Sequence, residues 1–138
     1  MQHLPTIIAI VGPTAVGKTS LGLDVAEALG GEIVSADSRQ VYRDLDIGTG
    51  KITHAEMRGI PHYCIDIADP EDEYAVTEYV QVAQAAIADI VSRGKVPIVV
   101  GGTGFYIDVL LGRRGVNNTK PDAKLRQRLS ARFSEAVR

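Results

Sequence analysis

The chain has 138 residues, 45% of them hydrophobic and 23% charged, with a formal net charge of −2. That length is one domain or part of one, enough to bury about two-thirds of the unfolded surface. The composition excludes a disordered or collagen-like chain, and no apolar run approaches the ~18 residues of a membrane helix.

The charge is uneven. Residues 1–112 carry 7 Lys+Arg against 15 Asp+Glu, whereas residues 113–138 carry 8 against 2. A basic end on an acidic body suits either a polyanion or a solvated helix face. The single cysteine, Cys64, excludes an internal disulfide framework and fits a reducing compartment.

In chain order, Met1 to Thr6 lacks the cationic start of a signal peptide, so a cytoplasmic location is expected. Thr6 to Val11 is a short β-branched run that reads as a buried strand. Thr19 to Leu29 sets Leu21, Val25, Ala28 and Leu29 on one helical face, stopped by Gly30 and Gly31. Glu32 to Ala36 reads as a second strand ending at Asp37, and His62 to Ile67 as a third. Ala75 to Arg93 spaces Val76, Val80, Ala83, Ile87, Ile90 and Val91 as an amphipathic helix closed by Gly94. Val96 to Val100 is another buried strand, with Pro97 expected to keep its first residues outside the ladder. Leu125, Leu129, Phe133 and Val137 stripe a final helix among Lys124, Arg126, Arg128 and Arg132.

Short buried strands alternating with helices predict an α/β fold with a mainly parallel sheet. Right-handed crossovers then bring the loops at residues 12–19, 37–42 and 101–106 to one edge, in one crevice.

Gly12-Pro13-Thr14-Ala15-Val16-Gly17-Lys18-Thr19 matches the phosphate-loop pattern G-x-x-x-x-G-K-[ST] in full, after a strand and before a helix. Gly12 and Gly17 permit backbone angles that other residues resist. Successive N–H groups and the positive end of the helix then cradle phosphate oxygens. Lys18 adds a mobile cation, and the Thr19 hydroxyl can reach a magnesium ion. The loop does not distinguish a diphosphate leaving group from ATP. Asp37 has three readings: a magnesium-holding acid, a general base toward an acceptor, or a turn cap. Asp66 reads mainly as structural, His62 as a loop or packing residue, and Cys64 as buried and inert. His3 and His54 join no cluster, so no zinc site is expected.

The combination of loops resembles the tRNA dimethylallyltransferase family, a phosphate-loop NTPase-like three-layer fold. The phosphate loop, Asp37-Ser38-Arg39-Gln40-Val41-Tyr42, Asp46-Ile47-Gly48-Thr49-Gly50-Lys51, Ile60-Pro61-His62-Tyr63 with Ile65-Asp66, and Gly101-Gly102-Thr103-Gly104-Phe105-Tyr106 occur in the family's order. Phe105, Gly50, Tyr63 and Cys64 depart from residues common there.

The resemblance implies transfer of a dimethylallyl group from dimethylallyl diphosphate to N6 of an adenine beside a tRNA anticodon, with Mg²⁺ assisting. Asp37, Lys18 and Thr19 would be catalytic, Gly12 to Thr19 would hold the diphosphate, and Thr19 would face the metal. Asp37, Ser38, Arg39, Gln40, Thr103 and Arg126 would meet RNA. The target base would be flipped out of the anticodon loop. Residues 1–112 then form the catalytic core, and residues 113–138 a basic helical start to an RNA-binding region that continues in longer family members. Beyond Arg138 those members supply an RNA-gripping insertion and a diphosphate-binding arginine. The stripe at Leu125, Leu129 and Phe133 is therefore expected to be partly exposed. Competing readings are a small-molecule kinase binding ATP, a non-catalytic phosphate- or RNA-binding fragment, and a prenyltransferase acting on free adenine nucleotides.

Overall fold

The computed structural model describes residues 6–13, 16–44, 51–115 and 122–136. Four strands form one parallel sheet: β1 (Ile8–Val11), β2 (Gly31–Ser35), β3 (His62–Tyr63) and β4 (Val96–Gly101), in spatial order β1-β4-β2-β3. The connections run through α1 (Lys18–Leu29), a 3-10 turn at Ala55–Met57 and α2 (Val76–Ser92). After β4 come α3 (Gly104–Leu110) and α4 (Ala123–Ala136). β4 lies between β1 and β2, pairing Ile8 with Ile98 on one side and Gly31 with Val96 on the other.

The sheet separates two apolar cores. On one face, Ile33 and Ile98 bury against Ala26 of α1. On the other, Val34 and Val99 pack beneath Tyr79, Ala83, Ile87 and Ile90 of α2 and Tyr106, Ile107 and Leu110 of α3. Strands covered on both faces are mainly apolar, which is why β4 and the Ile33-Val34 centre of β2 read as apolar runs, with the buried Glu32 and Ser35 of β2 as exceptions that need polar partners. The architecture is the three-layer α/β fold of the phosphate-loop class, as the sequence implies.

Several local expectations are corrected. The run at His62 to Ile67 is a strand only over His62–Tyr63, because Cys64 and Asp66 turn the chain at φ 65° and 57°. Helix α1 buries Gly22, Leu23 and Ala26, leaving Leu21 and Leu29 about half exposed. Its inward face is set by a close approach at Gly22, where an added β-carbon would lie 2.8 Å from the Val100 side chain. Pro97 is inside the ladder with β2, opposite Glu32, although the ladder with β1 begins only at Ile98. The stretch after Thr103 is not loop throughout but helix α3. Cys64 is buried as expected, and burial pushes its thiol up to about 12. In α4, Leu125 and Leu129 are 46% and 57% exposed, while the side chain of Phe133, and Val137, lie outside the described residues.

At the opposite end of the sheet from the crevice, Glu32 is buried at 1% exposure yet charged. Arg93 donates to both its oxygens, at 2.6 and 2.7 Å, and the Tyr63 hydroxyl donates at 2.8 Å. The Arg93 hydrogen bonds outweigh burial and hold the Glu32 carboxyl down at about 2. A depressed folded-state value means the stabilisation is complete above the ordinary 4.5 and is lost as pH falls toward 2. The unfolding free energy measured in urea should therefore fall by up to about 3 kcal/mol across that window. Glu32→Gln should be less stable at neutral pH and lack most of that acid dependence. An equal acid slope in the variant would assign it to other groups.

Candidate active site

The phosphate loop leaves β1 and enters α1 through Gly17, whose φ of 89° is a left-handed conformation favouring glycine. Among the described residues no side chain caps α1. Its first-turn N–H groups therefore face the crevice without a side-chain cap and suit an anion. Lys18 Nζ donates to the Pro13 carbonyl, folding the cation back over its own loop. Thr19 lies on the exposed first turn and lines a small cleft with Ser35, Gln40 and His62. Of the loop, Thr14 and Ala15 lie outside the described residues.

The turn after β2 is built by Asp37. Its Oδ1 accepts the Arg39 N–H at 2.9 Å and the Gln40 N–H at 3.4 Å, an arrangement that closes a tight Asx turn. Oδ2 has no hydrogen-bond partner among the described residues. Asp37 is half-buried, so capping and chemistry are compatible: one oxygen holds the turn and the other retains its capacity to accept a proton. The Asp37 side chain is not in a magnesium-like acid cluster, since no group of three His, Cys, Asp or Glu could hold a metal among the described residues.

The central position of β4 makes its glycine loop the joint between the other two. Gly101 passes so close to β2 that an added β-carbon would lie 2.5 Å from the Ala36 carbonyl carbon. Thr103 N–H donates to the Ala36 carbonyl at 3.1 Å, and Thr103 Oγ1 accepts the Ser38 N–H at 2.9 Å. On the other flank, a β-carbon on Gly102 would come within 3.2 Å of the Gly12 carbonyl and 3.8 Å of Lys18 Nζ. The three loops thus form one crevice, as the topology predicts.

Of the residues expected to meet RNA, Asp37, Ser38, Gln40 and Thr103 share this crevice wall, and the Arg39 side chain is exposed. The hydroxyl of Thr103 is already engaged in latching Ser38. The side chain of Arg126 lies outside the described residues, as do residues 46–50 of the third family segment. Lys51, at the end of that segment, is almost wholly buried and bridges the Tyr42 carbonyl and Asp66. Asp66 is therefore a structural ion-pair partner. His62 is half-buried, its Nδ1 2.7 Å from the Ile60 carbonyl, and burial lowers its pKa. Its place in the Thr19 cleft is a feature that its sequence context, a lone histidine after proline, does not signal.

A parallel three-layer sheet with a lysine-bearing phosphate loop, an acid after the second strand and a glycine loop between them defines a phosphate-loop α/β protein. Residues 40–137 match the family described as IPP transferase, and the chain belongs to that family. It is 51% identical over 123 residues to the tRNA dimethylallyltransferase of Bacillus cytotoxicus, covering 89% of this chain and 39% of that protein. It is 59% identical over 105 residues to the Streptococcus pyogenes protein of the same name, covering 76% and 35%. Among solved structures, the full-length tRNA isopentenylpyrophosphate transferase of Bacillus halodurans superposes with a TM-score of 0.80 at 42% identity, covering 96% of this chain and 44% of that one. A eukaryotic dimethylallyltransferase acting on tRNA superposes with a TM-score of 0.78 at 38% identity, covering 88% and 31%. The chain thus spans less than half the length of these relatives.

Proposed function

We propose that this chain carries the diphosphate-binding and proton-accepting half of a tRNA dimethylallyltransferase site. The observation that carries the reading is the glycine loop of β4, which abuts Lys18 on one flank and latches the Asp37 turn on the other. A donor held by the phosphate loop and an acceptor held at Asp37 would then share one crevice. A family of named tRNA dimethylallyltransferases supports the choice of donor and acceptor.

In the proposed reaction the adenine N6 attacks the first carbon of the dimethylallyl group. The carbon–oxygen bond to diphosphate breaks, and the N6 proton passes to Asp37 Oδ2. Lys18 swings from the Pro13 carbonyl to the diphosphate, and the first-turn amides of α1 receive its remaining charge. The Thr19 hydroxyl, exposed on the first turn of α1, would hold a Mg²⁺ ion, a metal that needs few protein ligands. Bound there, the ion would neutralise charge growing on the leaving group. Ser38, Arg39 and Gln40 would line the side approached by the flipped base, with Thr103 behind them. Arg126 belongs to the basic segment at residues 113–138, whose exposed Lys124, Arg128 and Arg132 suit RNA phosphates in a salt-sensitive contact.

The acceptor in this reading is a tRNA anticodon stem-loop in the cytoplasm. Among the described residues no helix is long and apolar enough to cross a membrane. The test is transfer of label from dimethylallyl diphosphate to a synthetic stem-loop. Consumption of ATP instead would favour a kinase.

A further inference from the structure

Tyr79 is fully buried in the first turn of α2, on an element that contributes no loop to the crevice. Its ring stacks on that of Tyr106 in α3, with centroids 4.2 Å apart and planes 18° from parallel. Its hydroxyl donates to the Ser35 carbonyl at 2.8 Å. That carbonyl belongs to the same peptide unit as the Ala36 N–H, which donates to the Val100 carbonyl at 2.8 Å. The next peptide unit is held by the Thr103 N–H on the Ala36 carbonyl. These two units set the direction in which the chain enters Asp37. Of the three bonds just named, two are backbone to backbone, and the third comes from the Tyr79 side chain. A phenylalanine would fill the same core volume, and a buried hydroxyl is unfavourable unless it is bonded.

We infer that Tyr79 is a positioning residue for the proposed transfer. Its hydroxyl orients the Ser35–Ala36 peptide, and its stack on Tyr106 steadies the start of α3. Together they hold Asp37 and Thr103 in register, although Tyr79 touches no substrate. The inference rests on the reading that Asp37 accepts the amine proton. Misplacing a reacting group by about 1 Å can lower a rate about 10²-fold, so a small rotation of that peptide is enough to matter.

The test is Tyr79→Phe, which keeps the ring and removes the hydroxyl. Turnover should fall about tenfold with KM for dimethylallyl diphosphate unchanged. Amide hydrogen exchange at Ser38 should quicken, while exchange at Val99 inside the sheet stays as in the parent chain. In an Asp37→Asn background, Tyr79→Phe should lower turnover no further, because the two residues act as one unit. Additive losses, or unchanged exchange at Ser38, would overturn the inference. A parent chain that transfers no prenyl group counts against the prenyl-transfer reading, and Ser38 exchange then decides alone whether Tyr79 sets the turn.

Discussion

Asp37→Asn is expected to lower prenyl transfer by about 10²–10⁴-fold while leaving dimethylallyl diphosphate binding largely intact. Asparagine is the informative replacement because Asp37 has two tasks. Its Oδ1 accepts from the Arg39 and Gln40 N–H groups, and an asparagine oxygen can keep both bonds. The amide nitrogen then takes the place of Oδ2 and presents a donor to the adenine amine, where a proton acceptor is needed. Asp37→Ala removes the base and the turn together, so its larger loss would mix chemistry with loop order. Turnover in Asp37→Asn equal to that of the parent would refute the base assignment.

Gly101→Ala is expected to destabilise the fold by about 3 kcal/mol and to disable the site. The added methyl group meets the Ala36 backbone, and a backbone atom cannot swing aside as a flexible side-chain tip can. Relief requires parting the ends of β4 and β2, which are the two points from which Thr103 and Asp37 depart. Gly104→Ala, three residues on, is the control. A β-carbon there meets nothing within 4 Å, so that variant should be neutral or slightly stabilising. Urea unfolding of the two variants measures the contrast. A Gly101→Ala protein as stable as the parent would show that β4 and β2 are not held this closely.

The parts of the site that are legible in sequence are those encoded locally. The phosphate loop carries its mechanism in the spacing of Gly12, Gly17, Lys18 and Thr19. Parallel strands announce themselves as apolar runs ending in Gly12, Asp37 and Gly101, although β1, expected to be buried, is an edge strand with Val11 58% exposed; right-handed crossovers then dictate a shared edge. What is not legible depends on partners distant in the chain. The burial of Glu32 makes sense only once Arg93 and Tyr63 arrive beside it. Tyr79 reads as one more residue between Val76 and Val80, because its hydroxyl bond spans 44 positions to Ser35. Helix α3 is too short to show periodicity, and its glycine-rich approach resembles a loop. Helix α1 carries apolar side chains around much of its surface, so periodicity alone could not choose Leu23 and Ala26 over Leu21 and Leu29 as the buried set.

The most direct measurement offers the chain both candidate donors at once, dimethylallyl diphosphate labelled in its alkyl group and ATP labelled in its terminal phosphate. An anticodon stem-loop with adenine at the target position is the acceptor, with Mg²⁺ present. The expected result is alkyl label on N6 of that adenine and no transfer of the ATP phosphate. Phosphate transfer from ATP, with the alkyl label left untouched on its diphosphate, would contradict it.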